Sequence, residues 1–342
     1  MKKLFSAAIA ALLLLSLSAC AAKARRCETT YLDLFDTVTT VVAYRGDETA
    51  FSQEARAIHN ELLSYHRLYD IYNDYEGLNN LKTVNDNAGV APVEVDEKII
   101  GLLLRAKELY ALTDGRMNIA MGSVLSVWHD YREAGLSDPD SAQLPPMELL
   151  EEAGEHTDLS DVIIDEEAST VYLADPELRL DVGAIAKGYA AEQVCRSLEE
   201  NGSEPLLLSV GGNVRAVGAP ESGGWTIGVQ DPHNTQAYLW TVSLDSASLV
   251  TSGDYQRYYT VDGANYHHII DPDTLFPAAY CASVTVLTTD SGLADALSTA
   301  LFTLPPEQGL ALTESLEGVE CLWVLPDGSI LTSSGFPANL AG

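Results

Sequence analysis

The sequence predicts an α+β fold in which mixed or antiparallel sheets carry flanking helices. Three observations lead there. From Val162 onward, short β-prone runs follow one another with turn residues rather than helices between most of them. Helical periodicity dominates before residue 154 and recurs in isolated stretches later, which does not match a regular strand–helix alternation. No repeat of fixed period and no low-complexity run follows the first twenty residues.

Taken in order, Lys2 and Lys3 precede an uncharged apolar run, Leu4 to Leu17, which is too short to be read as a membrane span. Leu17-Ser18-Ala19-Cys20 closes it and resembles the lipobox of bacterial lipoproteins. That resemblance implies cleavage before Cys20 and lipid on its sulfur; an ordinary signal peptide ending near a cysteine is the alternative. The expected division is residues 1–19 as signal peptide, 20–30 as lipidated N-terminus and tether, and 31–342 as the functional domain. The expected location is the outer face of the bacterial cytoplasmic membrane or the periplasm, lipid-anchored at Cys20.

Tyr31 to Tyr44 alternates hydrophobic and Thr residues, as one or two strands do. Glu54 to Tyr69 has helical spacing, Tyr72 to Gly89 reads as a polar loop, and Asp96 to Leu112 is an amphipathic helix stopped by Thr113-Asp114-Gly115. Further helices are expected at Val124–Glu133, Met147–Ala153, Ala184–Leu198, Ser291–Phe302 and Pro306–Leu316. Strands are expected at Val162–Ile164, Val171–Leu173, Leu178–Val182, Leu206–Val210, Trp225–Val229, Leu239–Leu244 and Leu249–Thr251. Four more follow at Tyr266–Ile270, Ala282–Leu287, Glu320–Leu325 and Ser329–Thr332.

Lys and Arg number 19 against 50 Asp and Glu, giving a formal charge of −31. The anions are spread along the chain, which argues against nucleic-acid binding and against docking on anionic lipid by charge. An anionic substrate would be repelled unless a metal ion or local donors compensate. Cys27, Cys195, Cys281 and Cys321 have no metal-ligand spacing, and nothing in the sequence demands a disulfide.

Five stretches hold candidate chemistry. Asp181 to Glu192 reads as a strand, a small-residue turn at Gly183-Ala184 and a helix carrying Lys187, a candidate phosphate cradle without P-loop spacing. A close-packed turn with a surface lysine reads the same way. Gly211-Gly212-Asn213 ends a strand with backbone N–H groups free to face a ligand, or makes a plain tight turn. Thr251-Ser252-Gly253-Asp254-Tyr255 precedes a rare Arg257. In His267-His268-Ile269-Ile270-Asp271-Pro272, the adjacent histidines of a strand face opposite sides, so one can enter a site, and a His near a carboxylate can act as a base. Asp295 and Thr299, four apart, share one helix face as hard oxygen donors suited to Mg²⁺; capping by Asp290 or Asp295 is the competing reading.

Together, and in order, these motifs resemble the flavin transferase family, FAD:protein FMN transferase (ApbE). The resemblance runs over nearly all of the chain after the signal, with Thr113-Asp114-Gly115, Trp128, Tyr72 and Asn85 standing for the flavin-side motifs. It implies an ApbE-like, T-fold-like single catalytic domain, with FAD as substrate and Mg²⁺ as cofactor. It implies transfer of FMN to a Thr or Ser hydroxyl of another protein, with AMP leaving. Metal ligands map onto Asp295, Thr299 and the backbone carbonyl at Ala184. His268 maps as base with Asp271 shaping its turn. Asp181, Lys187, Gly211, Gly212 and Ser252 map to the FAD-binding region, and Tyr72, Asn85 and Tyr255 to contacts with its rings.

The expected acceptor carries an Asp-x-x-[Ser/Thr]-Gly-Ala-[Ser/Thr] motif, absent from this chain, and is expected to be a membrane redox subunit. The chain departs from the family at Thr274-Leu275-Phe276-Pro277, where Thr-Gly-Tyr-Pro is usual, and at Met117-Asn118, where Phe-Asp is common. Loss of that Gly is expected to alter the turn near the flavin. Two other readings stand beside transfer. One is hydrolysis of FAD to FMN and AMP; the other is flavin binding without chemistry.

Overall fold

The computed structural model describes residues 24–340. Cys20 and the expected signal peptide lie outside the described residues. In chain order the first half holds β1 (Arg25–Leu34), β2 (Thr37–Arg45), α1 (Glu48–Tyr69), α2 (Leu81–Asp86), β3 (Val93–Glu94), α3 (Glu97–Leu112), α4 (Gly122–Ser137), α5 (Met147–Gly154), β4 (Val162–Asp165) and β5 (Thr170–Leu173). Then come α6 (Ala186–Glu200), β6 (Leu206–Val210), β7 (Asn213–Val217), β8 (Trp225–Asp231), β9 (Asn234–Leu244), β10 (Ser248–Gly253), β11 (Tyr258–Val261), β12 (Ala264–His267) and β13 (Ser283–Thr288). The chain finishes with α7 (Ser291–Phe302), α8 (Pro306–Glu314), β14 (Glu320–Val324) and β15 (Ile330–Thr332).

An eight-stranded sheet, ordered β1-β2-β6-β7-β10-β13-β14-β15, is antiparallel at every pairing. The α+β expectation holds. On one face of the sheet, α1, α3 and α6 bury Ile58, Leu62, Leu102, Leu103, Val194 and Leu208, while α7 buries Leu297 and Leu301 with Val284 and Trp323. Ribbon β8–β9 covers the other face through Trp225, Val229 and Val242. A smaller core joins α4 and α5 to hairpin β11–β12 around Trp128 and Tyr259.

Local chemistry explains most boundaries. Asp47 caps α1 by accepting from the Thr49 amide at 2.8 Å. The expected polar loop after α1 contains α2, because Asn80 and Thr83 form a capping box and Leu81 and Val84 are buried. Gly211 and Gly212, at φ 58° and 93°, make the two-residue turn between β6 and β7, with both residues left-handed.

Two expectations need correction. Arg25–Thr30, expected as tether, pairs residue by residue with β2 and forms the sheet's edge. Leu178–Val182, expected as a strand, is extended but joins no ladder beyond one parallel bridge from Arg179 to Met121. Its backbone is paired otherwise: the Leu180 amide donates to Asn85 Oδ1, and the Asp181 amide donates to the Ile119 carbonyl.

Candidate functional site

The site forms where α6 meets α7. These helices are antiparallel and laced at two rungs: the Gly188 amide donates to Asp295 Oδ2 at 2.8 Å, and the Ser291 amide donates to Glu192 Oε2 at 2.9 Å. The crossing is close because Gly188 has no side chain. A Cβ there would stand 2.3 Å from the Ser291 carbonyl oxygen and 2.5 Å from Asp295 Cβ. Gly188, five residues after Gly183 of the expected phosphate cradle, therefore serves helix packing, and packing brings the cradle to Asp295.

Asp295 does not cap its helix. Asp290 does, accepting from the Leu293 amide at 3.0 Å. Asp295 is buried, and burial pushes its carboxyl up from the ordinary range; Lys187, the Gly188 amide and the Asn213 amide act against that shift. Lys187 Nζ lies 4.0 Å from Asp295 Oδ2 and donates to the Gly183 carbonyl at 3.2 Å, so its ammonium closes over its own turn. Thr299 is half-buried one turn beyond Asp295.

α6 starts at Ala186, two residues later than expected, with Ile185 and Ala186 amides both on the Val182 carbonyl. Since the Gly188 amide goes to Asp295, no hydrogen bond among the described residues ends on the Ala184 carbonyl. Oδ1 of Asn213, buried beside Asp295, likewise has no partner among the described residues. A free carbonyl, a buried carboxylate, a hydroxyl and an orphaned amide oxygen form a hard oxygen donor set, which fits Mg²⁺. The described residues hold no group of three or more His, Cys, Asp or Glu placed to hold a metal ion.

Ser252 leaves β10 toward the same turn of α7: its Oγ is 2.8 Å from Ser298 Oγ, which donates to the Asp295 carbonyl. Tyr255 lays its ring over Gly253, where a Cβ would stand 2.3 Å from Tyr255 Cε1. Gly212 faces open space, while Gly211 packs against Thr37. Asp181 Oδ1 accepts from the Gly183 amide at 2.8 Å; burial pushes its carboxyl up, against the pull of Lys187, His129 and Arg257.

His267 is buried and bonds the Ala278 carbonyl at 2.8 Å, whereas His268, just past β12, is half-buried. His268 Nδ1 is 3.3 Å from the Arg257 carbonyl, which selects the tautomer with hydrogen on Nδ1 and the lone pair on Nε2. Burial first, then the Arg257 charge, pushes the imidazole pKa down to about 3. At neutral pH it is an uncharged base.

The Asp271 carboxylate turns to Arg116 at 3.1 Å and to the Asp273 amide at 2.9 Å, and it makes no hydrogen bond to His268. It therefore braces the turn that follows His268. Asn85, expected to meet the flavin, spends both ends of its amide on Leu180: Nδ2 donates to the carbonyl at 3.0 Å and Oδ1 accepts from the amide at 2.7 Å. It holds the Asp181 segment in place.

Tyr72 is 54% exposed, with its ring centroid 5.1 Å from that of His129. Its hydroxyl is pushed up to about 12, by desolvation first and then by Asp181, while Arg132 and Arg257 oppose the shift. His129, Arg132 and Arg257 thus converge with Lys187 on Tyr72, Asp181 and His268. Sequence reasoning noted Arg257 only as rare and missed His129 and Arg132. The usable signal was scarcity of cations in a chain of charge −31. Leu275, in the family's Gly position, takes a left-handed φ of 59°. Its carbonyl accepts from Trp128 Nε1 at 2.9 Å.

A family model described as "ApbE family" matches residues 35–323. A protein of Treponema pallidum named FAD:protein FMN transferase is 36% identical over 272 residues, covering 75% of this chain and 73% of that protein. One of the same name from Klebsiella pneumoniae is 34% identical over 285 residues, covering 81% and 86%. The crystal structure of the ApbE protein of Thermotoga maritima superposes with a TM-score of 0.79 at 30% identity, covering 91% of this chain and 98% of that one. The apo flavinyl transferase ApbE of Pseudomonas stutzeri gives 0.76 at 26% identity, covering 92% and 96%. Sequence and architecture agree, and the chain belongs to the ApbE family.

Proposed function

We propose that this chain is an FAD:protein FMN transferase that moves FMN from FAD to a Thr or Ser hydroxyl of an acceptor protein and releases AMP. The observation that carries this reading is that buried Asp295, with Thr299 one turn further along its helix, is bonded to the Gly188 amide beside Lys187, on the turn whose Ala184 carbonyl accepts no hydrogen bond among the described residues, and that the Lys187 charge also acts on half-buried His268. Mg²⁺ held by those three donors would neutralise the FAD diphosphate and stabilise charge developing on it.

The chain's own residues account for the rest. Lys187 stands in the first turn of α6, and Arg257 and Arg132 add positive charge on the Tyr72 side, where a diphosphate needs it. His268 Nε2 takes the proton as the acceptor hydroxyl oxygen bonds the FMN phosphorus and the bond to the AMP phosphate oxygen breaks. Asp271 and Arg116 keep the His268 turn in place. Ser252 steadies the α7 turn through Ser298, and Asn85 steadies Asp181 through Leu180. Tyr72 and Tyr255 offer ring faces at the edge of the site, and Gly211-Gly212 leaves its rim open.

We further propose a lipid anchor at Cys20, with the chain from β1 onward acting as one catalytic domain outside the cytoplasmic membrane on acceptors such as a membrane redox subunit. The test is incubation with FAD, Mg²⁺ and a domain bearing Asp-x-x-[Ser/Thr]-Gly-Ala-[Ser/Thr], followed by mass spectrometry. An FMN adduct on the hydroxyl, with AMP released, supports transfer. Free FMN and AMP alone would establish hydrolysis instead, and intact FAD would leave only binding.

A further inference from the structure

We infer that Glu192 is a positioning residue, which through the Ser291 amide sets where α7 presents Asp295 and Thr299, and that Arg215 holds it there. The inference rests on the metal reading above. Glu192 and Arg215 are 3% and 4% exposed. Glu192 Oε2 accepts from both the Ser291 amide at 2.9 Å and Arg215 Nε at 3.1 Å, and its Oε1 accepts from Arg196 Nε at 2.8 Å. Arg215 Nη2 reaches Glu199 Oε1 at 3.0 Å, and Nη1 donates to the Ala216 carbonyl.

The placement matters more than the pairing. Ser291 opens α7 and Asp295 lies one turn further on the same face. Glu192 stands one turn beyond Gly188 on α6, so the Glu192–Ser291 and Gly188–Asp295 rungs are consecutive along one interface. Strand β7 supplies both supports from one face, Asn213 beside Asp295 and Arg215 beside Glu192. Releasing the first rung frees α7 to shift against Gly188, and the second rung ends on the candidate ligand itself. Groups that orient ligands in this way commonly change metal affinity by about 10- to 100-fold when removed.

Three variants of the full chain separate positioning from folding. Each is assayed by thermal unfolding, by calorimetric titration with Mg²⁺, and by the apparent KM for Mg²⁺ in transfer. Glu192→Ala removes the acceptor and should weaken Mg²⁺ binding about tenfold. Glu192→Gln keeps an oxygen for the Ser291 amide and should retain affinity within about threefold. The pair Glu192→Leu with Arg215→Met replaces the buried ion pair by apolar groups, so stability should return while affinity stays about tenfold weak. Affinity that instead follows the thermal midpoint across the variants would overturn the inference, as would wild-type affinity in the double variant. Asp295→Ala serves as control. If it binds Mg²⁺ like the wild type, the metal reading fails; if it loses Mg²⁺ while the Glu192 variants keep it, only the positioning role fails.

Discussion

His268 shows how one side chain's surroundings fix its chemistry. Its Nδ1 is committed to the Arg257 carbonyl, and burial beside that arginine makes protonation unfavourable until about pH 3. An unfolded histidine takes up its proton near pH 6.5. Below that point the unfolded chain binds a proton that the folded chain refuses, so stability is lost as pH falls from 6.5 toward 3. His267, pushed down by burial as well, acts in the same direction. His268→Gln should therefore weaken the acid dependence of the urea midpoint between about pH 6.5 and 4. Parallel pH profiles for variant and wild type would refute the assigned environment. Residue types alone marked Asp295, Thr299 and the His267-His268 pair as candidates, because a carboxylate and hydroxyl four apart, or two adjacent histidines, are local patterns; the family resemblance chose among the readings. Asn85 was misread because an amide bonding a backbone 95 residues away has the same local sequence as one bonding a ligand. Arg257, His129 and Arg132 reach the site from separate elements, and no spacing announces that.

At the scale of elements, the turn from Asp271 to Pro277 is held by its own backbone bonds and by contacts from outside. Leu275 sits at φ 59°, where a side chain costs about 1–2 kcal/mol relative to Gly. The Leu275 amide on the Asp271 carbonyl, the Trp128 indole on its own carbonyl, and its packing on Gly154 keep it there. Ala and Gly both remove that packing, but only Gly relieves the backbone. Leu275→Gly should thus be more stable than Leu275→Ala by about 1 kcal/mol in urea denaturation, against the usual order. An Ala variant equal to or above the Gly variant would contradict this. The helices around the site were legible from periodicity, within a turn or two at their ends. Segments whose partners lie far along the chain were not. Leu178–Val182 has a strand's composition but finds Asn85 and Ile119 instead of a ladder, and Leu81–Asp86 hides a capped helix in polar sequence. The reason for Gly188 became visible only with α7 against it.

The whole molecule sets a long-range field against a local one. The formal charge of −31 repels FAD from a distance, while Lys187, Arg257 and Arg132 act on the site. Salt screens the distant charges within about 10 Å at 0.1 M and affects contacts inside the site less. The on-rate for FAD, followed by flavin fluorescence in stopped flow, should rise as salt increases from about 0.02 to 0.2 M. A falling rate would mean that the local cations govern the approach. β1 extends the sheet before residue 35, where the family match begins, so the described fold is somewhat larger than the matched region. The α+β architecture and the order of motifs were readable because they depend on pattern along the chain. The charge distribution was not, because it depends on which surfaces the fold brings together.

The most direct test of the account is FMN-adduct formation on an acceptor domain by mass spectrometry, titrated with Mg²⁺ for wild type and Asp295→Ala in parallel. The account predicts Mg²⁺-dependent adduct with the wild type and a loss of about a hundred- to a thousandfold with Asp295→Ala at any Mg²⁺ concentration, an effect of the size seen when transition-state charge loses its stabilisation. Adduct formed by Asp295→Ala at the wild-type rate would contradict the central claim that the α6–α7 crossing is the catalytic metal site.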